Sequence, residues 1–267
     1  MMLGDIFREI SLEGKISMIT GAASGIGKGI AEVLGEAGSY LYLVDYNEKE
    51  LKKTASELEK KGIKSEIFVH DLSSKEEIYK LWDEVKGREP NILINNVGIY
   101  PFKDFLELDE KTLDKTIELN LKSTLWMCQK MIKANMEKKR GGVIVNVSSI
   151  EAILPFEEGL VHYTSSKAGV IALTRALARE YGKYGFRINV ILPGGIKSES
   201  TKKAARDAIL KMNFKLILSG FKFWNRLPAK KIGTPRDIGK AVLAIVSDLF
   251  SYVHGAVIPV DGGFLSA

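Results

Sequence analysis

The sequence predicts an α/β fold, a doubly wound parallel sheet of about seven strands with helices on both faces, and three observations predict it. Short apolar, β-branched runs alternate with longer amphipathic segments along nearly the whole chain, the pattern of strand–helix–strand crossovers. A glycine-rich turn, Thr20-Gly21-Ala22-Ala23-Ser24-Gly25-Ile26-Gly27, joins the first run to the first helical segment. The 267 residues are 45% hydrophobic, enough for a substantial core. They contain no internal repeat, low-complexity tract or linker, so residues 1–267 are expected to form one domain.

Each element follows from its local pattern. Lys15–Thr20 reads as a strand, followed by the glycine turn and a helix from Gly25 to Ala37. Tyr40–Val44 is a second strand, Asn47–Lys61 a charged helix, Ser65–Val69 a third strand, and Ser73–Lys86 a helix with a serine as its expected N-cap. Asn91–Asn95 is a fourth strand, and one long helix is expected over Glu110–Lys138. Gly142–Val147 is a fifth strand, Tyr163–Tyr181 a helix and Arg187–Leu192 a sixth strand. Pro235–Ser247 is a helix and Ala256–Val260 the last strand. The alternation breaks at Glu199–Pro228, a helix-prone insertion carrying Met212, Phe214, Leu216, Ile217, Leu218, Phe221, Phe223 and Trp224. It follows the carboxyl end of the sixth strand, which is the ligand side of such a sheet, so residues 199–228 are expected to be a helical lid over a substrate.

Composition excludes several classes of function. The net charge of +6 comes from 39 basic and 33 acidic residues that are interspersed, a solvated surface rather than a nucleic-acid site. Cys128 is the one cysteine, so no intrachain disulfide can form, and no Cys/His cluster has zinc spacing. Cys128 itself falls in an apolar helical stretch and reads as a small buried residue. Met1–Gly14 carries acidic residues and no apolar stretch of the signal-peptide kind, and no run approaches a membrane span. A cytoplasmic protein is expected, with no metal, nucleic-acid or membrane partner.

The glycine turn carries the first chemistry. Glycines permit a tight turn and close approach of the backbone to a diphosphate, and the helix that follows offers free N–H groups at its positive end. The spacing, G-x-x-x-G-x-G, differs from the general G-x-G-x-x-G fingerprint. A P-loop is excluded because Gly27-Lys28-Gly29 lacks the Ser or Thr that would hold magnesium. Asp45 closes the second strand, where a carboxylate accepts hydrogen bonds from adenosine ribose hydroxyls and repels a 2′-phosphate. No Arg or Lys stands directly beside it, and Ser24 occupies the position in the turn where a basic residue would help bind that phosphate. NAD is therefore expected over NADP. The alternative reading of Asp45 is as a cap of the following helix.

Further motifs follow in order: His70-Asp71-Leu72, Asn95-Asn96-Val97-Gly98, Asn120, Ser148-Ser149, Tyr163-Thr164-Ser165-Ser166-Lys167, Pro193-Gly194-Gly195-Ile196-Lys197-Ser198 and Val260-Asp261-Gly262-Gly263. In this order the chain resembles the short-chain dehydrogenase/reductase family almost end to end, which implies a Rossmann-like sheet. The implied activity is hydride transfer between NAD(H) and an alcohol or ketone carbon. The residues can carry that chemistry. Tyr163 and Lys167 stand at i and i+4, about 6 Å apart at Cβ on one helix face. A tyrosine titrates near 10 unless a neighbouring cation stabilises its phenolate, so Lys167 is expected to lower Tyr163 toward a useful acid/base. Ser149, just past the fifth strand, can hold the substrate oxygen beside Tyr163. Its spacing to Tyr163 is one residue longer than is usual in the family, which leaves Ser148 as the alternative.

The resemblance further implies a cofactor set of Gly21, Ser24, Gly25, Ile26, Gly27, Asp45, Asp71, Leu72, Asn95, Gly98, Tyr163, Lys167, Pro193, Gly194, Ile196 and Ser198. Asp71 would meet the adenine amino group, Asn95 and Gly98 the adenosine side, and Gly194, Ile196 and Ser198 the nicotinamide end. Asn120 would hold a water linking Lys167 to solvent, or else brace its helix. Val97 and Ser198 replace the usual Ala and Thr. The loop Ile150–His162 and the insertion would wall a pocket for an apolar or medium-sized carbonyl compound, or their apolar side chains would pack a lid helix or a subunit interface; Glu151 and His162 could bind polar groups but are expected at the surface. A homotetramer or dimer is implied, through the long helices, where Leu113, Ile117, Leu121 and Leu125 share a face. Core burial would explain those four equally well. The rival readings are a non-catalytic dinucleotide-sensing regulator, which would not need Ser149, Tyr163 and Lys167, and a sugar-nucleotide epimerase or dehydratase. The glycine spacing argues against the second rival.

Overall fold

The computed structural model describes residues 3–197 and 214–267. Seven parallel strands form one sheet in the order β3-β2-β1-β4-β5-β6-β7: β1 Ile16–Thr20, β2 Tyr40–Asp45, β3 Ser65–Val69, β4 Ile92–Asn95, β5 Gly142–Val147, β6 Phe186–Pro193 and β7 Val257–Val260. The chain starts in the middle of the sheet, winds outward to β3, then returns to place β4 against the other side of β1. The direction of winding reverses between β1 and β4, the switch point where a crevice opens at the strands' carboxyl ends.

Period-two alternation sends successive side chains to opposite faces, and the core divides accordingly. Ile19, Leu41, Leu43, Ile94 and Val145 face one layer, with α2 (Gly25–Glu36), α3 (Glu48–Glu59) and α9 (Pro235–Val246). Met18, Tyr42, Val44, Leu93 and Ile144 face the other, with α4 (Lys75–Glu84), α6 (Ser123–Glu137) and α7 (Val161–Tyr181). Helices on both faces of a parallel sheet are what the alternation predicts.

Most helix starts have a chemical cause. Asn47 accepts from the Glu50 N–H at 3.2 Å and begins α3. Thr234 and Asp237 form a reciprocal capping box ahead of Pro235. Ser74, not Ser73, caps α4, accepting from the Glu77 N–H at 3.3 Å. Ser73 is instead turned back on Asp71, its hydroxyl donating to the carboxylate at 2.8 Å.

Two elements differ from expectation. An amphipathic helix, α1 (Leu3–Ile10), precedes the first strand. The long helix expected over 110–138 is interrupted: α5 (Glu110–Ile117) passes through a π-helical turn, Glu118–Lys122, before α6. A π turn inserts one residue without breaking the apolar stripe enough to be seen in the pattern. Residues 198–213, which include Ser198 and much of the expected lid, lie outside the described residues; Phe214–Arg226 of that insertion forms helix α8.

Candidate active site

A cleft of about 1470 Å³ runs along the carboxyl rim, from the β1–α2 turn and the end of β2 to the ends of β5 and β6. That exceeds the 300–1,000 Å³ typical of a small-ligand pocket and leaves room for a dinucleotide and a substrate together.

One end is built from main chain. Gly21 and Gly25 have φ of +66° and +54°, conformations that favour glycine. A Cβ on Gly27 would lie 2.1 Å from the Gly21 carbonyl oxygen, so this glycine lets α2 start hard against the turn, behind the cleft surface. Ser24 is the N-cap of α2 but makes no side-chain capping bond. Ser24, Gly25 and Ile26, at the start of α2 where the first N–H groups have no partner within the helix, line the cleft. Asp45 does not cap α3, a role Asn47 fills. Its Oδ2 accepts from the Ala23 N–H at 3.1 Å and its Oδ1 from the Asn47 N–H at 3.0 Å. The carboxylate is thereby pinned beside the glycine turn. Asp71, whose Oδ1 accepts from the Ser73 N–H at 3.0 Å, and Leu72 line the same end.

The Asn95-Asn96 pair corrects the expectation. Asn95 is buried, donates to Asn146 Oδ1 at 2.9 Å, and does not line the cleft. Asn96 does, and donates to the carbonyls of Thr20 at 2.9 Å and Gly21 at 3.3 Å. Strand alternation explains the exchange: Asn95 follows Leu93 into the α6 layer, and the next residue emerges at the rim. Thr20 completes the brace by accepting at Oγ1 from the N–H groups of Asn96 and Val97.

At the other end, β5 delivers the serine pair and α7 the Tyr–Lys pair. Ser148 is buried and donates to the Lys167 carbonyl oxygen at 2.8 Å. The Ser149 hydroxyl acts to lower the Tyr163 phenol and both residues line the cleft, so of the two serines Ser149 is the one beside the phenol. Lys167 is 4% exposed and donates from Nζ to the Val147 carbonyl oxygen at 2.9 Å. Gly98 lies above it, its position 3.2 Å from Lys167 Nζ and from Asn120 Oδ1 for any added Cβ. Pro193, Gly194 and Ile196 line this end.

The electrostatics here run opposite to the expectation from spacing. Burial pushes the Tyr163 phenol up to about 12, against a smaller lowering by the Ser149 hydroxyl and with further raising by Glu151 and Tyr100. Burial also pushes Lys167 down to about 8. The ammonium is turned toward a main-chain carbonyl, and desolvation outweighs pairing for both groups.

Asn120 sits in the π turn, fully buried and away from the cleft lining. Its Oδ1 accepts from the Ile99 N–H at 2.8 Å, and its Nδ2 donates to the Ile99 carbonyl at 2.8 Å and to Ser166 Oγ at 3.0 Å. The side chain ties the loop after β4 to α7.

Glu151 and His162, expected at the surface, are 7% and 2% exposed. His162 Nε2 bonds the Pro101 carbonyl at 2.9 Å. Glu151 accepts from the N–H groups of Phe156 at 3.0 Å and Glu157 at 3.2 Å. Phe156 and Phe223 of α8 wall this end, in edge contact with each other, and Phe223 stacks on Phe264 at 4.6 Å. Asn96 and Ala23 stand inside the motifs but are given no role by the sequence, and Glu151 stands two residues after Ser149.

Comparison with known proteins agrees with this geometry. The family model described as enoyl-(acyl carrier protein) reductase matches residues 21–265. The chain is 34% identical over 258 residues to a 3-oxoacyl-(acyl-carrier-protein) reductase of Aquifex aeolicus, covering 96% of this chain and 99% of the relative. It is 33% identical over 259 residues to an NAD-dependent glycerol dehydrogenase of Listeria innocua, covering 96% of each. A solved structure from Agrobacterium tumefaciens, provisionally named a 2-deoxy-d-gluconate 3-dehydrogenase and holding bound NADP, matches with a TM-score of 0.88. Its identity is 30%, over 97% of this chain and 99% of that one. With these matches and the Rossmann-like sheet, the chain belongs to the short-chain dehydrogenase/reductase family of oxidoreductases.

Proposed function

We propose that the whole chain, residues 1–267, is one catalytic unit that prefers NAD and oxidises a small alcohol or reduces the corresponding ketone. The observation that carries this reading is the Ser149–Tyr163 hydroxyl pair at the carboxyl rim, with Lys167 one helical turn along α7. A nicotinamide dinucleotide, when bound, supplies or accepts the hydride. Ser149 donates to the substrate oxygen and holds it beside Tyr163. Tyr163 gives its proton to the oxygen in reduction and takes one in oxidation. Lys167, held near 8, is close enough to neutrality to pass a proton onward. Asn120 acts as a positioning residue through Ile99 and Ser166.

The fixed carboxylate of Asp45 supports NAD. Among the described residues the cations in the cleft lining are Lys115, Lys167 and Lys197, none of them in the glycine turn or at the end of β2. The NADP in the Agrobacterium structure and the NAD dependence of the Listeria enzyme belong to those proteins, so the preference here rests on Asp45 and Ser24. No helix among the described residues is long and apolar enough to cross a membrane, and we place the protein in the cytoplasm as a homo-oligomer. Leu113 and Leu125, 38% and 37% exposed, support an intersubunit face on α5 and α6. Light scattering that gives a monomer at micromolar concentration would refute that part.

The decisive test is Tyr163→Phe. The expected result is a loss of turnover of about 10²–10⁴-fold on a panel of secondary alcohols and ketones, with NAD affinity by fluorescence titration near wild type. Turnover within a few-fold of wild type would remove Tyr163 from its assigned role.

A further inference from the structure

Glu151 is a buried carboxylate at the reaction end that the mechanism above leaves unused. It stands two residues after Ser149 in the 3-10 turn Ile150–Ala152 and contributes to the cleft lining. Among the described residues no Lys, Arg or His forms an ion pair with it. Its two oxygens accept one main-chain N–H each, from Phe156 and Glu157. A carboxylate offers about four acceptor sites, so half its capacity is unfilled. The charge interacts with the Tyr163 phenol, and burial holds the carboxyl above its usual range.

A simple brace for the loop would not need this group. Two N–H groups can be satisfied by a turn or a neutral side-chain oxygen, whereas burying a carboxylate without a cation is costly unless further donors reach it. Glu151 lines the cleft together with Ser149 and Tyr163, and its charge acts on the Tyr163 phenol; the same wall includes Tyr100, Phe156, Glu157, Leu160 and Phe223. A donor arriving there with the substrate must sit close to the reacting carbon.

We infer that Glu151 is a specificity-determining residue that accepts a hydrogen bond from a second hydroxyl of the substrate, next to the carbon that is oxidised or reduced. The substrate class is therefore diols, polyols and their hydroxyketones rather than simple secondary alcohols. This rests on the dehydrogenase reading above and narrows the apolar pocket expected from the sequence. The remaining wall packs the carbon skeleton, while Glu151 selects for the added hydroxyl.

The test compares glycerol with isopropanol, and hydroxyacetone with acetone, using the full chain and both NAD and NADP. A hydrogen bond to a buried charge predicts that kcat/KM for the hydroxylated member exceeds that for its partner by about 10- to 100-fold. In Glu151→Gln that ratio is expected to fall toward unity. A residue that merely braces the loop would lower both members by the same factor and leave the ratio unchanged, and this result would overturn the inference. So would a wild-type ratio of one or less, a measurement that needs no variant to fold. Turnover of isopropanol without preference sinks the role of Glu151 alone. No turnover of any alcohol or ketone with either cofactor sinks the dehydrogenase reading and this inference with it.

Discussion

The two ends of the cleft are made by different physics. At the glycine-turn end the polar groups are main-chain N–H groups and two carboxylates, each satisfied by an amide two residues on: Asp45 by Asn47 and Asp71 by Ser73. Asp45 also accepts from the Ala23 N–H in the glycine turn, so both carboxylates are held by main-chain amides at a rim partly open to water. At the reaction end Glu151, from the turn after β5, meets Tyr163 and Lys167 of α7; all three are largely enclosed, and desolvation shifts each of them. One end recognises by shape and fixed hydrogen bonds. The other sets its proton chemistry by burial, so substitutions there should act on rate and pH dependence, and substitutions at the first end on binding.

The largest effect that separates the ends is expected from Lys167→Met. Turnover should fall by about 10²–10⁴-fold, while the protein becomes more stable near neutral pH because a buried ammonium is removed. The pH dependence has a definite sign. Lys167 titrates near 8 in the folded chain against 10.5 ordinarily. Between those values the unfolded chain binds the extra proton, and wild-type stability rises with pH. Tyr163 titrates near 12 against 10.0, so above 10 the folded chain binds the extra proton and stability falls. Thermal melts of wild type and variant should therefore converge from pH 8 to pH 10. A constant difference across that range would mean that Lys167 is not desolvated as described.

This contrast also marks what the sequence could tell. The seven parallel strands, both helical layers and the placing of the glycine turn, Asp45 and the Tyr163–Lys167 pair followed from local pattern and from resemblance. What could not be read were quantities that depend on packing between distant elements. The i, i+4 spacing of Tyr163 and Lys167 predicted a lowered phenol, but spacing carries no information about how much water β5, the 150–162 loop and α7 exclude. Asn95 and Asn96 look equivalent as letters, and only the strand's alternation assigns one to the core. The burial of Glu151 depends on the fold of the loop after it, and the π turn around Asn120 leaves the hydrophobic stripe nearly intact.

A middle-sized effect is expected where the glycine-turn end meets cofactor choice. Replacing Asp45 by Ala together with Tyr46 by Arg removes the fixed carboxylate and adds a cation at the end of β2. The ratio of kcat/KM for NAD to that for NADP should fall by about 10- to 100-fold, the scale of a hydrogen bond to a charged group. The kcat with saturating cofactor should change far less, because the reaction end is untouched. A similar fall in kcat would show that the two ends are coupled rather than separable.

The smallest effect sharpens the same comparison from the solvent side. His70 lines the cleft beside Asp71, with Nδ1 bonded to Glu77 at 2.9 Å and Nε2 to Glu84 at 3.0 Å. On paper this resembles the charged groups of the reaction end. The difference is exposure: the Glu84 side chain is 51% exposed, so water and salt screen its interaction with the ring, and such pairs contribute about 0–1 kcal/mol. Glu84→Gln should accordingly change NAD affinity by less than about fivefold and leave kcat at the wild-type value, with any difference shrinking as salt is raised. A tenfold loss of affinity that persists in high salt would place a buried, unscreened charge at this end too, and the division between a solvent-screened binding end and a desolvated reaction end would no longer hold.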